Sequence, residues 1–231
     1  MSDENKNNQL NSQIIDYVTS LAKSTLGLVP FAGPLLIELA GYVIPNQRID
    51  RIVKFAEELE RKLYSLDQNF VRSQLTNENF TGLLEEGLRQ AARSLSDERR
   101  EYLAALITHS ISSQDIEYIE CKHLLRILGE VNDIEIIWLR YYYAPSRDDI
   151  AEFQTRHWNV LEPIAASHSD PPIVLDKESL QNSYKQHLAQ LGLLKPIYSV
   201  DKNVLVPDIN KITGYTITPL GKLLLRYIDF V

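Results

Sequence analysis

Cys121 and His123 have the side chains best suited to nucleophilic catalysis, because a histidine can take the proton of a thiol. They stand two residues apart, and on a helix that spacing turns the two side chains toward different faces. We therefore expect Cys121 to be a buried structural residue. A single cysteine also excludes a disulfide within the chain and fits a reducing compartment.

The other histidines and the carboxylates show no spacing typical of a metal or acid–base site. The nearest approach is His168-Ser169-Asp170, in a stretch that we predict to be a solvated loop. Adjacent acids such as Glu57 and Glu58 point apart on a helix, whereas acid–base catalysis needs converging carboxylates with separated pKa values. No phosphate-binding glycine loop, His-Glu-x-x-His or Gly-x-Ser-x-Gly motif occurs. We predict a protein that is not an enzyme and that uses no cofactor or metal.

An aromatic group at Trp138 and Tyr141–Tyr143 has the residue types on which nucleic-acid bases stack. Only Arg140 adds positive charge among them, so core packing at a helix end explains the group better. The net charge of −7 is also of the wrong sign for sequence-independent binding to nucleic acid.

The C-terminal end is the better nucleic-acid candidate. The predicted elements have the order of a winged helix. A helix beginning at Asp176 or Ser179 ends at a Gly192 cap, and Gly-Leu-Leu, a strand, a turn at 201–203, a strand at 215–218 and a last helix over Pro219–Ile228 follow. The helix that would read DNA carries four amide or basic side chains: Gln181, Asn182, Lys185 and Gln186. Basic residues only slightly outnumber acidic ones here, so a protein-interaction role stays open.

Leu21–Pro45 is the most apolar stretch, and its prolines and glycines predict two short helices, Ile14–Val29 and Pro34–Ile44, joined by an elbow. Its longest uncharged run, Ser24–Ile37, falls short of the roughly 20 residues that cross a bilayer. Two interpretations remain: a wedge in the core of a soluble bundle, or a surface that enters a membrane or binds a partner. The residues expected to make that contact are Leu26, Leu28, Val29, Phe31, Leu35, Leu36, Ile37 and Leu39.

Apolar residues recur at helical spacing from Asn46 to Tyr143, and Gly129 is expected to separate the last two helices of this region. The composition, 44% hydrophobic and 24% charged, is that of a globular protein. We predict a mainly α fold. A disordered tail (1–12) precedes a helical array (13–143) that includes the hairpin, and a winged-helix-like α+β domain follows (144–231).

Three short motifs carry a resemblance to a known family. Ile44-Pro45-Asn46-Gln47-Arg48 leads from the apolar segment into an amphipathic helix, and the chain ends with Gly192-Leu193-Leu194 and Thr218-Pro219-Leu220-Gly221. In these features the sequence resembles the bacterial Abi-alpha (abortive infection alpha) proteins. The resemblance implies a role in defence against phage, and it supplies no catalytic residues.

The sequence thus predicts a non-enzymatic anti-phage or interaction protein that contacts a protein partner or a membrane surface through its apolar hairpin. A winged-helix transcriptional regulator is the alternative, and homo-oligomerisation stays open. We expect the protein in the cytoplasm or at the periphery of the inner membrane.

Overall fold

Helices dominate the computed structural model, which describes residues 46–74, 77–112, 117–143, 146–167, 169–200 and 207–230. The chain divides into two compact units, Met1–Arg126 and Ile127–Val231. The described part has one small antiparallel sheet, near the C-terminus, which confirms the mainly α class with a small α+β part. The predicted tail 1–12 and hairpin 21–45 lie outside the described residues.

The described part of the N-terminal unit is helical. Its elements are α1 (Asn46–Leu63), α2 (Gln68–Gln74), α3 (Glu78–Arg93), α4 (Asp97–Ser112) and α5 (Tyr118–Glu130), and the division between the units falls inside α5. Helices α1, α3 and α4 pack on one another. In α1 and α3 the apolar residues recur every three or four positions, which places one face of each helix in a shared core. Helix α4 differs, because the five consecutive residues Leu103–Ile107 are all buried. That core includes Ile52, Phe55, Leu59, Phe80, Leu84, Leu88, Leu103, Leu106 and Ile107.

Short polar side chains cap the first turns of α3 and α4. The Asn77 side chain accepts a hydrogen bond from the backbone N–H of Asn79 at 2.9 Å, at the start of α3. The Ser96 hydroxyl accepts the N–H of Arg99 at 3.1 Å, at the start of α4. These bonds satisfy backbone donors that have no partner within the helix.

The C-terminal unit combines short helices with the sheet. After α5 come α6 (Asp133–Tyr143), α7 (Arg147–Arg156), α8 (Trp158–Leu161), α9 (Pro172–Gln190), β1 (Leu194–Val200), β2 (Pro207–Ile217) and α10 (Pro219–Tyr227). Helix α6 packs against α7, α8, α9, β2 and α10. The structure therefore groups α6 with the C-terminal elements, although the sequence predicts a division after Tyr143.

Two predicted helix boundaries are wrong. Helix α5 continues through Gly129 to Glu130, so this glycine lies inside the helix and does not end it. Helix α9 begins at Pro172 and not at Asp176 or Ser179. Proline is favoured in the first turn because its missing N–H is one that the helix leaves unpaired there.

The end of α9 and the start of α10 are tied together by the residues of the two C-terminal motifs. Gly192 has φ 73°, and the N–H of Leu193 bonds the carbonyl of Leu188, as in a Schellman cap. The predicted glycine cap is confirmed. The Thr218 hydroxyl donates to the Gly192 carbonyl at 2.7 Å and accepts the N–H of Gly221 at 3.1 Å. The two motifs are therefore hydrogen-bonded to each other, and both have a structural role in this contact.

Strands β1 and β2 form an antiparallel hairpin in which Leu194 pairs with Ile217 and Val200 pairs with Pro207. The register shifts at Tyr198, so β2 carries extra residues that bulge from the ladder. The predicted strand at 215–218 is thus the end of a longer one.

Candidate functional site

The inner face of α9 holds the helix against α6 and β1. Gln181 and Leu188 are buried on that face. The Gln181 amide donates to the carbonyl of Glu162 at 2.9 Å. A buried amide needs such a partner, because an unpaired polar group in the interior costs roughly 1–3 kcal/mol. This bond ties α9 to the segment that follows α8.

Lys185 lies on the same side, above an aromatic ring. Its Nζ atom is 4.4 Å from the ring centroid of Trp138 and donates to Gln181 Oε1 at 3.3 Å. Burial lowers the pKa of Lys185, and the nearby Glu178 partly opposes that shift. A cation over an aromatic face is an attractive arrangement. Lys185 therefore has a packing role within this unit.

Two of the four predicted nucleic-acid contacts thus have partners within the chain, and the other two, Asn182 and Gln186, are exposed. On a helix, residues four apart share a face. Asn182 and Gln186 therefore lie on one face of α9, and Gln181 and Lys185 lie on a neighbouring face. Contact with nucleic acid through these residues stays a prediction.

His187 lies in close contact with a buried carboxylate. Its Nδ1 atom lies 2.7 Å from Glu135 Oε1, and Glu135 is only 3% exposed. The second carboxylate oxygen accepts the N–H of Asn132, while the Asn132 side chain accepts the N–H of Glu135. This reciprocal pair is a capping box at the start of α6. The arrangement joins α9 to that cap and is structural.

The outer side of α9 presents a stripe of four exposed residues, which we call the α9 stripe: Ile173, Asp176, Lys177 and Leu180. Ile173 is 60% exposed and Leu180 is 55% exposed. At about 100° per residue, positions 173, 176, 177 and 180 fall within roughly a third of the helix circumference. Two large apolar side chains with a charged pair between them therefore share one face.

Sequence reasoning missed this stripe because it placed the start of α9 too late. Ile173 falls in the segment before the predicted helix, so its seven-residue spacing from Leu180 carried no weight. The Pro171-Pro172 pair was the available signal, since proline marks a first turn.

The aromatic residues of α6 pack within the C-terminal unit. Trp138 is buried, and its ring meets that of Tyr141 edge-on at a centroid distance of 5.8 Å. The rings of Tyr142 and Tyr215 have centroids 6.1 Å apart. Burial, with smaller contributions from Tyr141 and Tyr215, raises the pKa of Tyr142 to about 12. These contacts are those expected of core packing at a helix end.

Cys121 is buried as predicted, whereas His123 on the same helix is exposed. Cys121 is buried, and burial raises the pKa of its thiol to about 11, which opposes formation of the thiolate. His123 is exposed, with Nδ1 3.0 Å from a guanidinium nitrogen of Arg126. Within the described ranges, no three histidine, cysteine or carboxylate side chains come together as a metal site would require.

An open depression of about 610 Å³ lies where the ends of α3, α4 and α5 meet. Its lining is mixed, with Tyr118 and Ile119 beside Glu117 and Lys122. The Tyr118 hydroxyl donates to Gln74 at 2.6 Å, and the Ser110 hydroxyl donates to the Ile107 carbonyl at 2.6 Å. These donors are already used within the fold.

All eight predicted membrane or partner contacts in the hairpin, from Leu26 to Leu39, lie outside the described residues. Among the helices that are described, none combines the length and the apolar character needed to cross a membrane.

No protein-family model matches the sequence, and no curated protein or solved structure shows significant similarity to it. The resemblance to the Abi-alpha family therefore stays a prediction based on its short motifs.

Proposed function

We propose that this chain is a non-enzymatic interaction protein of bacterial anti-phage defence, and that its C-terminal unit docks a protein partner. The observation that carries the docking role is the α9 stripe. Ile173 and Leu180 stay exposed, two turns apart on one face, and helices commonly bind partners through apolar side chains at such spacing. The defence role rests on the resemblance alone.

The chemistry of the C-terminal unit supports an interaction role. Two of its acid–base contacts join different helices: His187 contacts Glu135, and Arg140 makes two bonds of 3.0 Å to the carboxylate of Asp149. These groups hold helices together. The α9 stripe, in contrast, has its apolar atoms in solvent.

A phage challenge tests the proposal. Cells expressing the wild-type chain should give fewer plaques than cells with an empty vector, and Ile173→Glu/Leu180→Glu should lose that protection. Lys222→Glu is the matched control, because Lys222 is exposed on α10 and not on α9. Wild-type cells that plaque like the empty vector would contradict the defence role, and full protection by the double variant would contradict the docking role.

The apolar hairpin forms a second part of the proposal, based on the sequence. We expect it to engage a membrane or partner through residues such as Phe31 and Leu36. A carbonate wash of the membrane fraction should leave the wild-type chain in the pellet and release Phe31→Asp/Leu36→Asp. Complete release of the wild-type chain would count against membrane engagement.

A winged-helix DNA-binding regulator is the second candidate. The order of α9, a glycine in the left-handed region at Gly192, an antiparallel hairpin and α10 favours it. Such binding should weaken steeply with salt and with Lys177→Glu, because phosphate contacts release counterions. Lys177 is the informative position since it is exposed, whereas Lys185 lies over Trp138. Gel shifts that are absent at low salt would eliminate this candidate.

A further inference from the structure

The α9 stripe has a symmetry in its sequence. Counting from the midpoint between Asp176 and Lys177, Ile173 and Leu180 stand at equal distances on either side. At 1.5 Å rise per residue, these two apolar side chains are about 10 Å apart along the helix. The stripe therefore has an apolar residue near each end and one opposite-charge pair at its centre.

Antiparallel pairing of two such helices makes the stripe complementary to itself. In an isologous two-fold contact, residues at equal distances from the midpoint face each other. Ile173 of one copy then lies opposite Leu180 of the other. Asp176 lies opposite Lys177, and each of these pairs occurs twice. A parallel pairing would instead oppose each carboxylate to the same carboxylate.

The same residues fit other classes of partner less well. A DNA groove would bring Asp176 close to phosphates of the same charge. A lipid surface would require both charges at the centre of the stripe to lose water, which is costly without an opposed charge. A second copy supplies the apolar contacts and the opposite charges at once.

We propose that two copies of this protein dimerise through the α9 stripe, with the two α9 helices antiparallel. The inference rests on the proposed function and specifies its partner as a second copy of the chain. A contact of about two helical turns is small compared with the roughly 1,200–2,000 Å² of stable interfaces. The dimer should therefore be weak and should depend on protein concentration.

Charge exchange at the centre of the stripe tests the pairing directly. Asp176→Lys places a second ammonium group opposite Lys177, and Lys177→Asp places two carboxylates together. Each single variant should lose self-association in sedimentation of the intact chain over a concentration series. Mixing the two variants should restore it as a heterodimer. Two ammonium groups on one copy then face two carboxylates on the other, so every opposed pair again joins opposite charges. The double variant D176K/K177D should also self-associate.

The controls separate pairing from misfolding. Lys222→Glu changes the charge of the same unit on α10, outside the α9 stripe, and should leave self-association at the wild-type level. Circular dichroism should show the same helix content in all variants, because the exchanged side chains are exposed.

Two results would overturn the inference. One is a wild-type chain that stays monomeric over the whole series; the other is association that the charge exchanges do not alter. The phage challenge distinguishes this failure from that of the proposed function. Loss of protection by Ile173→Glu/Leu180→Glu in a monomeric protein would mean that the stripe binds a different protein. Dimerisation as described without any protection would leave the contact established and contradict the defence role.

Discussion

The two units are held together in different ways. In the N-terminal unit, helices α1, α3 and α4 bury apolar side chains, and ion pairs such as Arg89–Glu85 lie at the surface within single helices. Among its part-buried contacts between elements, Tyr118–Gln74 joins neutral polar groups. In the C-terminal unit, buried or half-buried polar side chains bridge different elements, as Arg140 and Glu135 do. Apolar burial thus characterises the first unit, and in the second unit charged contacts between elements are added to apolar burial.

Arg140 shows what one contact does in the C-terminal unit. Its guanidinium makes two bonds to Asp149 and donates to the carbonyl of Phe230 at 3.2 Å. The same group lies 5.2 Å from the ring centroid of Phe153. One side chain thereby connects α6, α7 and the residues after α10.

The largest loss of stability is expected from a substitution in the apolar core of the N-terminal unit. Phe55 is completely buried on α1, so Phe55→Ala should lower the free energy of unfolding by about 3–5 kcal/mol. Hydrogen exchange of peptides from α1, α3 and α4 measures the loss. Leu95→Ala is the control, because Leu95 is 84% exposed and should change stability by less than about 0.5 kcal/mol. Equal losses in the two variants would refute the assignment of the core.

The packing of the two units can be compared at two helical glycines, Gly87 and Gly221. A methyl group at Gly221 would lie 2.5 Å from the carbonyl oxygen of Leu193, which is backbone and cannot move alone. We expect Gly221→Ala to destabilise the C-terminal unit by about 1–3 kcal/mol. At Gly87 the obstacle is the terminal carbon of Ile107. That atom can rotate away, and alanine favours the helix by up to about 1 kcal/mol.

Gly87→Ala should therefore change stability by less than about 1 kcal/mol. Chemical denaturation of both variants, with hydrogen exchange to locate the change, makes the comparison. The reverse order of effects would mean that the close approach of α10 to the start of β1 is not as tight as the structure has it.

Arg140→Lys tests whether geometry or charge alone matters at that site. Lysine keeps the charge but cannot form the two parallel bonds to Asp149. We expect a loss of about 1–2 kcal/mol, as for hydrogen bonds between charged groups. Arg156→Lys is the matched control, since the Arg156–Glu152 pair is exposed and exposed pairs contribute little. Similar values for the two variants would argue against a special role for Arg140.

The difference between the units also explains what the sequence could predict. The helices around Phe55 and Leu106, and their caps at Asn77 and Ser96, follow from local spacing and short polar side chains. The contact between Glu135 and His187 joins residues far apart in the chain. No local sequence pattern predicts it.

The candidate site shows the same limit. Gln181 and Lys185 have residue types suited to nucleic acid, yet their packing against Glu162 and Trp138 depends on the tertiary fold. The α9 stripe was within reach of sequence analysis only if the helix began at Pro172. An error of one helical turn at that boundary concealed Ile173, because residues before a helix have no helical face.

The smallest effect that we expect is a dependence of the stability of the C-terminal unit on pH, through His157. Burial, and then the nearby Arg156, lowers the pKa of His157 below its ordinary value of 6.5. The unfolded chain therefore binds this proton more readily, so stability falls as pH drops through 6.5 toward the lowered pKa. At higher pH the residue is neutral in both states and adds no slope.

His157→Gln should remove this part of the acid sensitivity. The ring of His157 packs on that of Phe153 at a centroid distance of 4.5 Å, so the variant will also lose some contact at every pH. For that reason the informative quantity is the slope of stability between about pH 7.5 and 5.5, measured by hydrogen exchange of α7 and α8 peptides. The slope should be shallower in the variant there and unchanged in α1 and α3. Identical slopes in α7 and α8 would mean that His157 is as easily protonated in the fold as in the unfolded chain.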